Sequence, residues 1–365
     1  MSSTTKATCE KLLGDAERSA RCAVPTNEGE RSRFRYLERT GELLSPYPGI
    51  YARANTWNAL YPSQKICRII RTIARIHPDW VFVGASAAVA HAMAIPPKAT
   101  WPLKIAKIGT GTCESNGHAK RTVVSPCEVV LVDGMRATNL DRTAIDCMRQ
   151  LGFPEALAVA DSYLRATGKS SDQLQKMVSQ PRKGARGIKN ARIVARYADG
   201  RAESWGESIA RAAMIELGFV IPELQTSYFD PVSRMTFRAD FSWTLPEGKT
   251  VLGEMDGFIK YTDETMTGGD TIGAFVRERQ RESRLTIGGR SVVRFTPAQV
   301  GDSLYFERLL DSYGIPRTEP LQGWVLYPSP PASPSLSLAP SGFSLPFFGR
   351  VPRSLAVSFA FFSGI

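Results

Sequence analysis

Residues 237–245, Phe-Arg-Ala-Asp-Phe-Ser-Trp-Thr-Leu, alternate without a break: Phe237, Ala239, Phe241, Trp243 and Leu245 fall on one side, and Arg238, Asp240, Ser242 and Thr244 on the other. A period of two is that of a β-strand with one buried face, and it excludes a helix here. The alternation sets Asp240 away from the core. A turn, Pro246-Glu247-Gly248-Lys249, leads to a second expected strand over 250–257, in which Glu254 and Asp256 stand two apart and share a face. A hairpin of these strands brings Asp240 beside that acidic pair, with Lys260 four residues after Asp256.

A helix expected over 203–217 carries Glu207 in line with Ala210, Met214 and Leu217. A carboxylate on a core-facing stripe needs a partner, either Arg211 one turn on or a metal. Three carboxylates from adjacent strands, a fourth from a helix and a nearby lysine suit Mg²⁺- or Mn²⁺-dependent phosphodiester hydrolysis. Hard oxygen ligands hold such a cation, and the cation lowers the pKa of a bound water and neutralises charge on the phosphorus. In that reading Asp240 and Glu254 hold the metal, Asp256 or Glu207 completes its shell, and Lys260 lies near the attacking water. The plainer reading is an acidic hairpin whose charges pair with Arg238 and Lys260.

The charge balance bears on the partner. With 46 Lys and Arg against 35 Asp and Glu, the chain carries a formal net charge of +11, which favours polyanions and above all nucleic acid. Part of the surplus is concentrated. Arg182, Lys183, Arg186, Lys189, Arg192 and Arg196 recur at helical steps with no acid among them, and Arg277, Arg281 and Arg284 share one side of a charged helix. Both stretches are expected to contact phosphates; each reads equally as a solvated helix face.

The remaining sequence sets the frame. A charged helix around 31–39, then Gly41, Leu43-Leu44 and the turn Pro46-Tyr47-Pro48-Gly49-Ile50-Tyr51, has the order of a recognition helix followed by the wing of a winged helix, and reads equally as a generic helix-turn-strand connector. Residues 58–165 alternate short strands (80–83, 103–108, 129–132) with helices (85–93, 143–151, 154–164), a mixed α/β pattern in which His91 is a packed or surface residue rather than a ligand. Five segments result: a winged-helix-like part over 1–57, a mixed α/β part over 58–165, a basic helical connector over 166–202, the acid-bearing part over 203–317, and a Pro- and Ser-rich tail over 318–365 expected to be disordered. The six cysteines form no C-x-x-C pair and the three histidines do not cluster beside them, so neither structural zinc nor a disulfide framework is expected. The first residues lack the basic-then-apolar order of a secretory leader, and the apolar run at 354–365 is too short to span a bilayer. A cytoplasmic location without membrane contact is the expectation.

Two resemblances follow from these residues. Gly41 with Pro48-Gly49-Ile50-Tyr51-Ala52, His77-Pro78 with Ala85-Ser86-Ala87-Ala88, Arg142-Thr143-Ala144-Ile145-Asp146-Cys147 and Ala156-Leu157-Ala158-Val159-Ala160-Asp161-Ser162 together resemble the AbiEi-type antitoxins of bacterial type IV toxin–antitoxin systems. Gly206-Glu207-Ser208, Arg238-Ala239-Asp240-Phe241, Gly253-Glu254-Met255-Asp256-Gly257, Arg281 and Val293-Arg294-Phe295 resemble nuclease-like domains related to very-short-patch repair endonucleases of the PD-(D/E)XK superfamily. The first resemblance implies a DNA-binding regulator with a cognate toxin as partner. The second implies a restriction-endonuclease-like fold with Asp240 as central metal-binding aspartate, Glu254 and Asp256 as the following acids and Glu207 as the helix glutamate. One position departs from that pattern: two residues after Glu254, where the superfamily carries its lysine, stands Asp256, and the lysine is displaced to Lys260. A metal-dependent endonuclease and a non-catalytic antitoxin or transcriptional regulator are the two functions expected.

Overall fold

The computed structural model describes residues 3–108, 117–124, 128–180, 186–230, 234–256, 286 and 289–324. The chain is mixed α/β and divides into two compact units, 1–216 with 319–336, and 217–318 with 337–365. No described helix is long and apolar enough to cross a membrane.

The first unit opens with helices α1 (Ser3–Arg18) and α2 (Glu28–Arg39), followed by the antiparallel hairpin of β1 (Leu43–Tyr47) and β2 (Ile50–Arg53). Asn27 caps α2 by accepting from the Glu30 amide at 3.0 Å, and Gly49, at φ +77°, turns the hairpin where a side chain would be strained. Phe34 and Leu37 of α2 close a small core with Cys9, Leu13, Ala23, Leu43 and Tyr51. The hairpin's other residues, Tyr47, Ile50 and Ala52, belong to the unit's main core.

That main core is built on α4 (Pro62–Ile76), α5 (Gly84–Ala90), α6 (Leu140–Gln150), α7 (Phe153–Thr167), α8 (Ser171–Ser179), α9 (Ile188–Tyr197) and α10 (Trp205–Glu216), with a short α3 (Ala54–Asn58) before them. The strand expected at 80–83 is reduced to a single bridging residue. Phe82 joins β3 (Leu103–Ile108), which runs parallel to β4 (Ala119–Val124), to β6 (Met135–Thr138), which pairs with β5 (Val129–Val132). Phe82 is fully buried, so it adds an apolar anchor where the two pairs meet. His91 ends α5 with its Nε2 at 2.8 Å from the Thr138 carbonyl, a packing role as expected.

A cluster on this unit makes a pH dependence explicit. Tyr163 donates to Asp141 at 2.7 Å, and Lys169 Nζ bonds both Asp141 (2.8 Å) and the Tyr163 hydroxyl (2.7 Å). Partial burial works against the Asp141 carboxylate, but bonds from Lys169 and Tyr163 outweigh it and hold its pKa below the usual value; the same contacts hold the Lys169 pKa above its own, again against partial burial. The depressed acid contributes stability above its unfolded pKa near ~3.9, lost as pH falls through the folded value; the raised lysine contributes below ~10.4, lost as pH rises through its folded value. Asp141→Asn is therefore expected to lower the melting temperature by about 1–3 °C at pH 7, the modest effect of a half-exposed pair. The difference from wild type should shrink on titration below about pH 4. Equal differences at pH 7 and pH 3 in thermal melts would refute this assignment.

The described residues of the second unit form a four-stranded sheet in the order β10-β9-β8-β7. β7 (Glu223–Asp230), β8 (Met235–Thr244) and β9 (Thr250–Met255) form an antiparallel meander, and β10 (Ser291–Phe295) lies parallel to β9. Helices α11 (Pro297–Gly301) and α12 (Ser303–Ser312) follow, and Phe306 of α12 packs edge-on against Phe295, whose centroid is 5.7 Å from that of Phe241.

Two expectations are corrected in this part of the chain. The alternation of residues 237–245 does not run through: Phe237 and Ala239 cluster with Leu252, Val292 and Tyr228, whereas Phe241 stacks on Phe295. Val292 and Phe295 are an odd number of residues apart on β10, hence on opposite faces, so the apolar side changes face between Ala239 and Phe241. At the same level of the sheet Gln225, between the registered pairs Leu224–Phe241 and Thr226–Ala239, has φ +56°, a left-handed value that interrupts the regular pleat of β7. The bend brings the Tyr228 hydroxyl to 2.8 Å from Ser242 Oγ.

The tail, expected to add nothing to a core from residue 318 onward, is ordered through its first residues. Thr318 N bonds the Gly218 carbonyl at 2.7 Å, Leu321 N bonds that of Ile215 at 3.2 Å, and Trp324 packs edge-on against Phe153 with centroids 5.3 Å apart. Two apolar side chains suffice to hold this segment on the first unit's core, an effect that its proline-rich average composition conceals.

Candidate functional site

Asp240 sits where β8 leaves its register with β9. The last registered pair is Phe241–Gly253, and one step beyond it the Asp240 Oδ2 accepts the Met255 amide at 2.9 Å. A side-chain carboxylate thus continues the ladder where the bend has displaced the strand. Glu254, 3% exposed, lies on β9 opposite Arg294 in the parallel register, so the two share a face. Gly253 beside it leaves no room for a side chain: a Cβ there would fall 2.9 Å from the Trp243 ring and 3.0 Å from Phe241 Cβ.

Asp256 follows Glu254 by two residues and meets Arg294 as a fork. Arg294 Nε donates to Oδ2 at 3.0 Å and Nη2 donates to Oδ1, with both side chains 18% exposed. The Asp256 amide bonds the Phe295 carbonyl at 2.9 Å and extends the parallel ladder that sets this geometry. A bidentate, part-buried pair of this kind is the strong form of an Arg–carboxylate contact.

Glu207 has a different task. It lies in the first unit, near the start of α10, where Ser204 Oγ donates to its Oε1 and the Glu203 amide to its Oε2, both at 2.8 Å, while the Glu207 amide bonds Ser204 Oγ at 3.2 Å. These reciprocal bonds close a helix N-terminus of the capping-box kind. Arg211, expected as its partner one turn on, turns instead to Asp161; the Ser-x-x-Glu spacing at 204–207 is the sequence signal by which the cap could have been read.

Among the described residues no group of three or more His, Cys, Asp or Glu side chains comes together to hold a metal ion. In the second unit both oxygens of Asp256 are engaged by Arg294 and Oδ2 of Asp240 by a backbone amide; in the first, both oxygens of Glu207 are engaged by its own helix start. Within the second unit, Asp240, Glu254 and Asp256, so engaged, do not form a three-carboxylate cage that fits a divalent cation. Lys260, Arg277, Arg281 and Arg284, together with Arg182 and Lys183, lie outside the described residues.

Basic surfaces are better defined in the first unit. Lys189, Arg192 and Arg196 are exposed along one side of α9, at steps of three and four, while Ala191, Val194 and Ala195 on the other side are buried; Arg186 is exposed just ahead of Gly187, where the helix starts. A second surface lies on the charged helix expected around 31–39, although its arginines were not named as site residues. On α2, Arg31, Arg35 and Arg39 recur every four residues and are all exposed, opposite the buried Phe34 and Leu37. Arg31 and Arg35 both pair with the exposed Glu28, in contacts too solvated to hold them in place. The Arg-rich run before Gly41 was the sequence signal for this surface. Arg294 was likewise missed as a site residue, although an arginine inside the apolar run Ser-Val-Val-Arg-Phe needs a carboxylate beside it.

No family model matches the chain, and no solved structure matches it. Two proteins of Mycobacterium tuberculosis, uncharacterized protein Rv2248 of strain H37Rv and uncharacterized protein MT2308 of strain CDC 1551, are each 42% identical to it over 112 residues, which make up 31% of this chain and 41% of each relative. The chain thus spans less than half the length of the curated relatives that it matches.

Proposed function

We propose that this chain is a bacterial DNA-binding protein in which the first unit carries a winged-helix-like segment and the second a restriction-endonuclease-like fold, and that it binds DNA without cutting it, as an antitoxin or transcriptional regulator does. One observation carries the reading: α2 buries an apolar side against α1 and β1 and turns a row of arginines to solvent, and a tight hairpin follows it. On this reading α2 enters the major groove as a recognition helix and the hairpin serves as the wing against the adjoining backbone. The exposed row on α9 supplies further phosphate contacts.

The sheet of the second unit supports the rest. A helix leading into three antiparallel strands, then a fourth strand parallel to the third, with Asp240 on the second strand and Glu254 on the third, is consistent with a restriction-endonuclease-like topology. The engagement of Asp256 by Arg294 and of Glu207 by its helix start favours binding over hydrolysis with Mg²⁺ or Mn²⁺. A cognate toxin is the partner class that the antitoxin reading brings with it.

The test is a pair of assays on the full chain. Fluorescence anisotropy with duplex DNA should show binding that weakens steeply with salt, and supercoiled plasmid should remain intact with Mg²⁺ or Mn²⁺. Salt-independent binding, or none, overturns the DNA reading. Metal-dependent nicking that disappears in Asp240→Ala and Glu254→Ala establishes the endonuclease instead.

A further inference from the structure

We infer that Arg294 is the resident cation of the acidic site in the second unit, so that a fixed guanidinium stands where the resemblance would place a divalent metal and a strand lysine. Three observations converge on it. Arg294 lies in register with Glu254 on the adjoining parallel strand, which puts its positive charge on the face of the buried carboxylate. Its guanidinium grips Asp256 with two parallel bonds, and Asp256 occupies the position two residues after Glu254 where the superfamily resemblance calls for lysine. No three acid, cysteine or histidine side chains among the described residues converge to hold a metal.

The exchange is coherent in charge. An acid in place of the strand lysine adds a negative charge beside Glu254, and a half-buried pair of like charges is costly unless a cation answers it. Arginine suits the task better than lysine. Its planar fork matches both carboxylate oxygens, stays charged at any working pH and, held between β9 and β10, occupies the coordinating lone pairs of Asp256. A divalent ion that took Asp256 as a ligand would have to displace a bidentate bond, and one held by Asp240 and Glu254 would sit near a fixed positive charge, both unfavourable. This inference rests on the restriction-endonuclease-like reading for the identity of the site, but its test needs no DNA.

The experiment is a titration of the full chain with Mn²⁺, followed by calorimetry or by the loss of the free-ion electron paramagnetic resonance signal, for wild type, Arg294→Gln, Arg294→Lys and each of these with Glu254→Gln. Wild type and Arg294→Lys should show no Mn²⁺ binding that depends on Glu254. Arg294→Gln, which removes the charge and keeps most of the length, should gain Glu254-dependent binding at least about 10-fold tighter than wild type, since a neighbouring unit charge acts strongly on a divalent ion at low effective dielectric. Glu254-dependent binding by the wild type overturns the inference, as does a folded Arg294→Gln that gains none. Should Arg294→Gln fail to fold, the wild-type comparison with Glu254→Gln decides alone. A chain that fails to bind DNA but behaves as stated with Mn²⁺ loses the functional reading and keeps this one.

Discussion

Arg211→Ala is expected to destabilise the first unit by about 3–5 kcal/mol, the cost of leaving a buried charge without its partner. Arg211 and Asp161 have side chains 2% and 1% exposed. Arg211 Nη2 donates to both Asp161 oxygens, at 2.7 and 2.6 Å, and Nη1 donates to the Tyr197 carbonyl at 2.6 Å. Asp161 also accepts from Ser208 Oγ at 2.7 Å and from the Asp199 amide at 2.8 Å. One ion pair thus joins α7, the end of α9, the loop after it and α10. Removing the arginine strands a carboxylate that keeps only two neutral donors, at a depth where bulk solvent does not compensate. The double replacement Asp161→Leu with Arg211→Met removes both charges and should recover a large part of the loss, because what is costly is the orphaned ion rather than the absence of the pair. Denaturant unfolding of the single and double variants checks this. A single variant no worse than an ordinary surface change, within about 0.5 kcal/mol, would falsify the account.

Replacing Arg31, Arg35 and Arg39 of α2 together by alanine is expected to weaken DNA binding by about 100-fold at 0.15 M salt. Each phosphate contact contributes about 0.9 to the slope of log K against log salt, which at this concentration amounts to roughly fivefold per contact. Removing three such cations should lower the slope by about 2.7. The fold should survive the change, because these side chains are exposed and the buried side of the helix, Phe34 and Leu37, is untouched. Lys189, Arg192 and Arg196 provide the comparison: the same triple replacement on α9 should reduce the slope in the same way but leave preference among DNA sequences unchanged, as contacts to phosphate carry no sequence information. A reduced slope for α9 with none for α2 would move the DNA-binding surface to α9 and refute the recognition-helix reading.

Much of the local structure was legible because it depends on near neighbours. The strands at 103–108, 129–132 and 291–295 are found where their apolar runs placed them, and the helices of the first unit differ from their expected limits by a few residues at the ends. End shifts of this size follow from capping, as where Asn139 accepts the Arg142 amide at 2.9 Å and starts α6 three residues early. The failures are of another kind. Residues 237–245 alternate perfectly as a string, yet the apolar side changes face between Ala239 and Phe241, beside a left-handed Gln225 on the neighbouring strand. Periodicity within one strand holds no record of its neighbour's backbone.

The acidic residues show the same division. That Glu254 and Asp256 share a face, that Asp240 comes close to them and that Glu207 points inward all follow from periods of two and of 3.6, which sequence spacing carries by itself. Which partner each acid takes does not follow. Arg294 reaches Asp256 because a strand 38 positions along the chain settles parallel to β9 in one register, and a shift of one residue would turn its guanidinium to the other face. Arg211 leaves Glu207 for Asp161 because α7 packs beside α10 and offers a buried carboxylate 50 residues away in sequence. Spacing decides which way a side chain points, whereas the partner of a charge is chosen by desolvation among whatever groups the tertiary packing brings within reach.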